Sequence, residues 1–428
     1  MPRFPAQRAT WMLILAVAFA ARLAFAFYWQ ARLPPGQQFF FGDSDAYWQL
    51  SRAIANDEPY QYLSPDAQVL RTPGYPLLLS GVFLAGGDHP PVMAGRALGA
   101  AFGTLAVGIV GWWTTALFEA RSGLLAGWIA ALYPGAIATS VFILSEAPFC
   151  AFMLAHLALW GLAWRAGTKS RACGLAVVGG VMAGCATLIR PSWLLFLPLA
   201  LVAGLVLETR RARQLALAAA MAVSFAAVML PWWIRNARVT GHFVATTLQV
   251  GASLYDGWNP QADGSSDMSF VPQFVADERA ADQAQPGNSA ADTFEYRLDR
   301  HLRQAALDWA RANPGRVLQL AANKLLRVWN VWPNEPSLRR WPIRLLVLGT
   351  YVPLLLCALG GAWRYTRGGL PYLLAWLPAV YFSLLHMVFV SSIRYREPAM
   401  LALTVLAAGF VSSVLLARAP VSRPAVNS

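Results

Sequence analysis

Two carboxylates stand closest to recognisable chemistry in this chain. The stretch Phe41-Gly42-Asp43-Ser44-Asp45-Ala46-Tyr47 sets Asp43 and Asp45 two residues apart, just past the first long apolar run. A carboxylate held at a membrane surface can serve as a general base, and like-charge repulsion raises the pKa of one member of such a pair. If a helix starts at Ser44, Asp43 is its N-cap instead, a structural task. Residue type leaves open which of the two acids would be the base. Further on come Arg71-Thr72-Pro73-Gly74-Tyr75-Pro76, Ser145-Glu146, Arg190-Pro191, Pro231-Trp232-Trp233-Ile234-Arg235-Asn236 and Arg394-Tyr395-Arg396. Singly, each arginine reads as snorkelling toward headgroups, and Glu146 as a first-turn acid stabilised by the helix dipole. Together, acids and cations on one face could hold an anionic phosphate beside a base.

No metal cage accompanies them. The five histidines are scattered without HxxxH or HExxH spacing, and Cys150, Cys173, Cys185 and Cys357 fall inside apolar runs with no CxxC pair. No cofactor is required by these residues. A divalent metal stays open but unsupported.

What must position these side chains is a membrane. Of 428 residues, 57% are hydrophobic and only 13% charged, with a mean hydropathy of +0.45. Soluble domains carry about 25% charged residues, so a single soluble globular domain is excluded, as is intrinsic disorder. The excess of 34 Lys+Arg over 21 Asp+Glu would suggest nucleic acid in a soluble protein. In a polytopic one it follows from cytoplasmic loops, and no nucleic-acid partner is expected. Only Lys169 and Lys324 are lysines. That arginine- and alanine-rich composition points to a bacterium with GC-rich DNA, and hence to the inner (plasma) membrane.

The expected fold is all-α and polytopic. Apolar runs of bilayer-spanning length lie near 9–29, 97–118, 122–145, 147–164, 172–189, 191–207, 214–234, 345–363, 368–393 and 398–417, about ten spans. The first resembles a signal peptide but reads as a retained anchor, because nine spans follow. With the N-terminus inside, Arg3, Arg8, Arg121, Arg165, Lys169, Arg171, Arg210, Arg211, Arg213, Arg364, Arg367, Arg418 and Arg423 are cytoplasmic, joined by only two acids, Glu119 and Glu208. All the motifs above then face the periplasm or outside. The chain divides into an anchor (1–30), a first outer loop with the candidate acid and a juxtamembrane helix (31–96), six spans (97–234), a second outer segment (235–344) and three C-terminal spans with a short tail (345–428). Within the first outer loop, Thr72–Gly87 reads as a juxtamembrane or re-entrant helix. Within the second, 261–294 reads as a mobile loop. Residues 295–332 read as two interfacial helices broken at Asn313-Pro314-Gly315, with Leu298, Leu302, Ala305, Trp309 and Ala312 along one face.

In this order the motifs resemble the GT-C superfamily of integral-membrane glycosyltransferases, in particular the branch of protein O-mannosyltransferases and lipid A aminoarabinose transferases, across residues 10–400. Most telling are Asp43-x-x-x-Tyr47-x-x-x-Ser51 and Arg71-x-Pro73-Gly74-Tyr75-Pro76-Leu77, then Tyr133-Pro134, Leu144-Ser145-Glu146, Arg190-Pro191, Pro231-Trp232 with Arg235-Asn236, and Arg394-Tyr395. The resemblance implies an inverting transfer from a polyprenyl-phosphate sugar to an envelope acceptor (lipid, glycan or protein) at the outer face. It matches Asp43, rather than Asp45, to the acid that deprotonates the acceptor. Arg71 would stabilise the leaving phosphate, with Arg394, Arg190 and Arg235 as further phosphate candidates. Glu146, and Asp45 as the neighbouring acid, would orient acceptor or sugar, and Tyr47, Tyr75 and Tyr395 complete the motifs. Ser51 stands where the family often has Ala, and one span follows Arg396 where aminoarabinose transferases have more spans and a soluble C-terminal domain. Sugar and acceptor therefore stay open. The competing readings are a transporter or flippase of a lipid-linked or anionic substrate, which would need charges in mid-span, and a non-catalytic assembly protein.

Overall fold

The structure, a computed structural model, describes residues 3–284, 292–332 and 340–418. Arg423 lies outside them. Among the described residues there are seventeen α-helices and no strand, the solution expected where a backbone must satisfy its polar groups without water. The bundle comprises α1 (Arg3–Gln30), α4 (Val92–Leu117), α5 (Ala120–Leu132), α6 (Pro134–Val141), α7 (Glu146–Arg165), α8 (Lys169–Ile189), α9 (Phe196–Leu207), α10 (Arg211–Thr240), α15 (Trp341–Tyr365), α16 (Leu370–Val388) and α17 (Glu397–Arg418). One end of it carries α2 (Gly42–Ala55), α3 (Gly74–Gly86), α11 (Val250–Gly257), α12 (Val271–Ala284), α13 (Phe294–Ala312) and α14 (Pro314–Val328).

Among the described residues, eight helices are long and apolar enough to cross a membrane, nine if α5 and α6 are one bent span. The protein is thus a multi-pass membrane protein, and the count of ten is corrected at two places. The run 122–145 is broken at Pro134, where the axis bends by 55°, because proline lacks an amide and crowds the preceding turn. Carbonyls freed at that break are not left bare. Arg22, fully buried within α1, donates to Ala130 O (3.3 Å) and Ala131 O (3.2 Å), and to Ser140 Oγ (3.3 Å). The run 191–207 is a 3-10 turn at Pro191–Trp193 followed by α9, twelve residues or about 18 Å at 1.5 Å per residue. Its ends still lie along α16. Ser192 O accepts from Tyr381 OH, and the Glu208 carboxylate accepts from Leu370 N–H.

The two bundle ends differ chemically. At one, Arg165 donates to Ala116 O (2.9 Å) and Arg213 to Ala163 O (3.0 Å) and Ala166 O (2.7 Å). These arginines hold carbonyls at helix C-termini, where cations are favoured. The opposite end carries α2, α3 and α11 to α14. Lys324 of α14 donates to Gly257 O (2.9 Å) and Val388 O (2.7 Å), tying that helix to the C-terminus of α16.

The second outer segment also departs from expectation. Part of the predicted loop 261–294 is helix α12; residues 285–291 lie outside the described set. None of its residues is buried, so it has no apolar stripe to announce it. It is held by Phe274, edge-on to Tyr255 (5.0 Å) and His301 (5.0 Å), and by Arg297, which pairs with Glu278 (2.8 Å) and Asp282 (2.6 Å). α13 and α14 meet at Asn313 as expected.

Candidate active site

Five chain segments converge at the end of the bundle that carries α2 and α3. α2 begins at Gly42, with Phe41 in the cap position and no side-chain cap bond. Asp43 is therefore not the N-cap. Its carboxylate turns away from the helix amides and meets Arg71, Nη2 to Oδ1 at 2.6 Å. Arg71 comes from the loop before α3, and that loop can descend only because residue 74 is glycine. A Cβ there would lie 2.5 Å from the Leu188 carbonyl carbon at the end of α8.

The other oxygen of Asp43 faces Arg394 Nη2 at 3.6 Å, and Arg394 Nε lies 3.3 Å from Glu146 Oε1. Glu146, at the N-terminus of α7, also pairs with Arg190 at 3.0 Å, and Arg190 donates to Ser145 Oγ (3.2 Å). The result is one alternating chain, Arg71–Asp43–Arg394–Glu146–Arg190. Three guanidiniums and two carboxylates leave one positive charge in excess, in a region where water screens little. Glu146 is 2% exposed, against 37% for Asp43, 18% for Arg71 and 21% for Arg394. The accessible end of the network is therefore at Asp43, between Arg71 and Arg394. Burial pushes the Asp43 carboxyl up, but Arg71, Arg394 and Arg190 outweigh it and hold it below the ordinary carboxylate range.

Aromatic rings hold these cations in place. Arg71 lies over Tyr47 (5.5 Å), whose ring meets Tyr75 edge-on at 4.9 Å. Arg394 sits over Phe41 (5.2 Å) and Tyr395 (5.1 Å), and Arg190 over Tyr395 (5.3 Å). Such contacts restrict a guanidinium without neutralising it.

Not all the candidates meet. Asp45, two residues and about half a helical turn on from Asp43, points elsewhere: it accepts from Gln49 Nε2 (2.7 Å) and Tyr62 OH (3.2 Å). The expected repulsion within an Asp43/Asp45 pair is thus replaced at Asp43 by attraction to arginines. Arg235 is outside the chain of pairs as well. It lies over Trp232 (4.8 Å) and Tyr60 (5.3 Å) and reaches Tyr60 O (3.4 Å). Sequence reasoning passed over Tyr60, whose hydroxyl donates to Arg71 O (3.1 Å) and Thr72 O (3.2 Å). It also passed over His386, stacked on Tyr395 at 4.4 Å. Neither sits in a motif, and only the fold brings them in.

Among the described residues no group of three His, Cys, Asp or Glu could hold a metal ion. The two acids of the network are each engaged by two arginines. That donor set suits an anion shared among guanidiniums better than a cation.

The sequence model of the dolichyl-phosphate-mannose-protein mannosyltransferase family matches residues 84–247. No curated protein matches in sequence. Among solved structures, the oligosaccharyltransferase of Archaeoglobus fulgidus in its apo form is similar with a TM-score of 0.60 at 15% identity, covering 95% of this chain and 51% of that one. The archaeal oligosaccharyltransferase AglB from Archaeoglobus fulgidus, in complex with an inhibitory peptide and a dolichol-phosphate, gives a TM-score of 0.54 at 15% identity, covering 97% and 52%. ArnT from Cupriavidus metallidurans bound to undecaprenyl phosphate gives 0.47 at 16% identity, covering 94% and 77%. The chain spans about half the length of the oligosaccharyltransferase it matches. The GT-C-like fold implied by the sequence resemblance is the fold the chain adopts.

Proposed function

We propose that this protein is an inverting glycosyltransferase that moves a sugar from a polyprenyl-phosphate donor to an envelope acceptor at the outer face of a bacterial inner membrane. The observation that carries the reading is the Arg71–Asp43–Arg394 arrangement, a partly accessible carboxylate flanked by two guanidiniums. In the reaction, the acceptor hydroxyl or amine passes its proton to an Asp43 oxygen and attacks the anomeric carbon. The bond from that carbon to the phosphate oxygen breaks, and polyprenyl phosphate leaves with the electron pair. Arg71 and Arg394, preorganised in a partly buried site, stabilise the charge that develops on it. A phosphate that shares these donors draws them from Asp43, which raises the carboxylate's proton affinity when a base is needed. Glu146, deep in the network, fixes Arg190 and Arg394 and orients sugar or acceptor. Tyr47, Tyr75 and Tyr395 line or support the site, and Asp45 and Arg235 act from outside it.

The sidedness follows from charge. Arg165 and Arg213 mark the end of the bundle opposite the site, and basic loops stay cytoplasmic. The five-part division fits this scheme: anchor, first outer loop with the base, six-span unit, second outer segment, and three spans delivering Arg394.

One observation bears on transport. Arg22 is a fully buried charge within a span, the placement a transporter would need. Its donors go to carbonyls freed by the Pro134 break, which is structural use, so it does not favour a permeation path. The test is conversion. In proteoliposomes given donor lipids and an envelope extract, a transferase consumes polyprenyl-phosphate sugar and releases polyprenyl phosphate. A flippase leaves the donor intact, and that outcome overturns the proposal.

A further inference from the structure

The loop that presents Arg71 is held from a distance by a residue no motif contains. Glu295, the second residue of α13, is 7% exposed. Its Oε2 accepts from Gln68 N (2.9 Å) and Val69 N (2.9 Å), and Oε1 from Val69 N (3.2 Å). A first-turn acid ordinarily serves its own helix N-terminus, but these oxygens serve a segment 226 positions away. Val69 is fully buried, and its carbonyl accepts from Leu248 N (3.0 Å), so the strap is gripped on both sides. Arg71 follows two residues later, and its own carbonyl is held by Tyr60 OH (3.1 Å). Tyr60 in turn carries Arg235. The second outer segment thus reaches the site through the backbone of one loop.

We infer that Glu295 is a positioning residue for Arg71: by holding the Gln68 and Val69 amides it fixes where the Arg71 guanidinium meets Asp43 and the donor phosphate. This rests on the assignment of Arg71 to that phosphate. It assigns a task to α13 that neither the sequence motifs nor the ion-pair network reveals. Residues that act through one another give non-additive losses, whereas independent structural damage adds.

The experiment measures binding of undecaprenyl phosphate to the purified full-length protein in detergent micelles, with monodispersity and helix content checked for every variant. Arg71→Ala weakens binding at least tenfold. Glu295→Ala weakens it by about tenfold, as expected for losing hydrogen bonds to a charged group. The double variant binds no worse than Arg71→Ala alone. Glu295→Gln, which keeps one acceptor oxygen at the place of Oε2, restores binding to within about threefold of wild type. If the alanine variant does not fold, the smaller Glu295→Gln loss must vanish in the Arg71→Ala background. Wild-type binding by Glu295→Ala, or losses that add in the double variant, overturn the inference while leaving Arg71 in place. An Arg71→Ala variant that binds as wild type overturns the underlying assignment of the site instead.

Discussion

Buried arginines occur in two regions of this protein and are used in opposite ways. Within the bundle, Arg22 donates to Ala130, Ala131 and Ser140, and Arg396, 1% exposed, donates to Val328 O and Asn330 O while lying 3.7 Å from the Tyr351 ring centre. Their donors go largely to backbone carbonyls, with Arg396 Nε also 3.6 Å from the buried Glu397 carboxylate. At the site, Arg71, Arg394 and Arg190 instead pair with the carboxylates of Asp43 and Glu146 and keep a fifth or so of their side chains accessible. A carbonyl partner cannot be exchanged without breaking a helix. A carboxylate partner can share its cation with an incoming phosphate. On the proposed reading, partner type and accessibility together separate the arginines that hold the fold from those that would bind the donor phosphate.

The largest expected effect breaks the site at its base. Asp43→Asn keeps the shape and lowers donor conversion by about 10²–10⁴-fold, the usual span for a lost general base, with undecaprenyl phosphate binding retained. Next, Arg71→Ala or Arg394→Ala lowers kcat/KM by about a hundredfold. Lysine rescues only in part, because a point charge does not replace a fork that faces two partners. Both are read by donor conversion in proteoliposomes.

Arg22→Met should behave oppositely. Leaving buried carbonyls unsatisfied costs about 1–3 kcal/mol each, so thermal stability falls clearly while the kcat of the surviving protein changes little. An Arg22 variant with normal stability and no turnover would erase the distinction between the two regions.

pH sharpens the comparison. Because Asp43 is held below its ordinary value, its contribution to stability is present above the unfolded carboxylate pKa and lost as pH falls through the lower folded value. The pH profile of kcat/KM, which reports the free protein, should therefore show no Asp43 limb between pH 7 and 5. Glu295 is the reverse case: burial pushes it up to about 7, its bonds to the Val69 and Gln68 amides and nearby Arg235 notwithstanding. It favours the fold below its unfolded pKa and loses that contribution as pH rises through 7. The melting temperature of Glu295→Gln should thus fall less between pH 5 and 8 than that of wild type. The smallest effect belongs to Asp45→Asn. Its partners are Gln49 and Tyr62, and activity should stay within about twofold.

Much of this was legible in the sequence because it is local. Apolar runs announce spans, and the Asp43, Arg71, Glu146, Arg190 and Arg394 motifs sit in order along the chain. What was hidden depends on long-range contact. Asp43 could be told from a cap only by seeing its carboxylate turn to Arg71. Asp45 looked like its partner because sequence shows spacing but not side-chain direction. The Pro134 break was readable as a proline, yet its repair by Arg22, over a hundred residues away, was not. Helix α12 escaped notice because ion pairs and a phenylalanine edge hold it, with no buried stripe. Glu295 carries no motif, since what it grips is backbone.

The most direct test of the central claim is lipid mass spectrometry on cells lacking this protein, complemented with wild type or with Asp43→Asn. A polyprenyl-phosphate sugar should accumulate in the deletion and in the Asp43→Asn strain and return to its ordinary level with wild type. Full rescue by Asp43→Asn, or a lipid profile unchanged by the deletion, would contradict that claim.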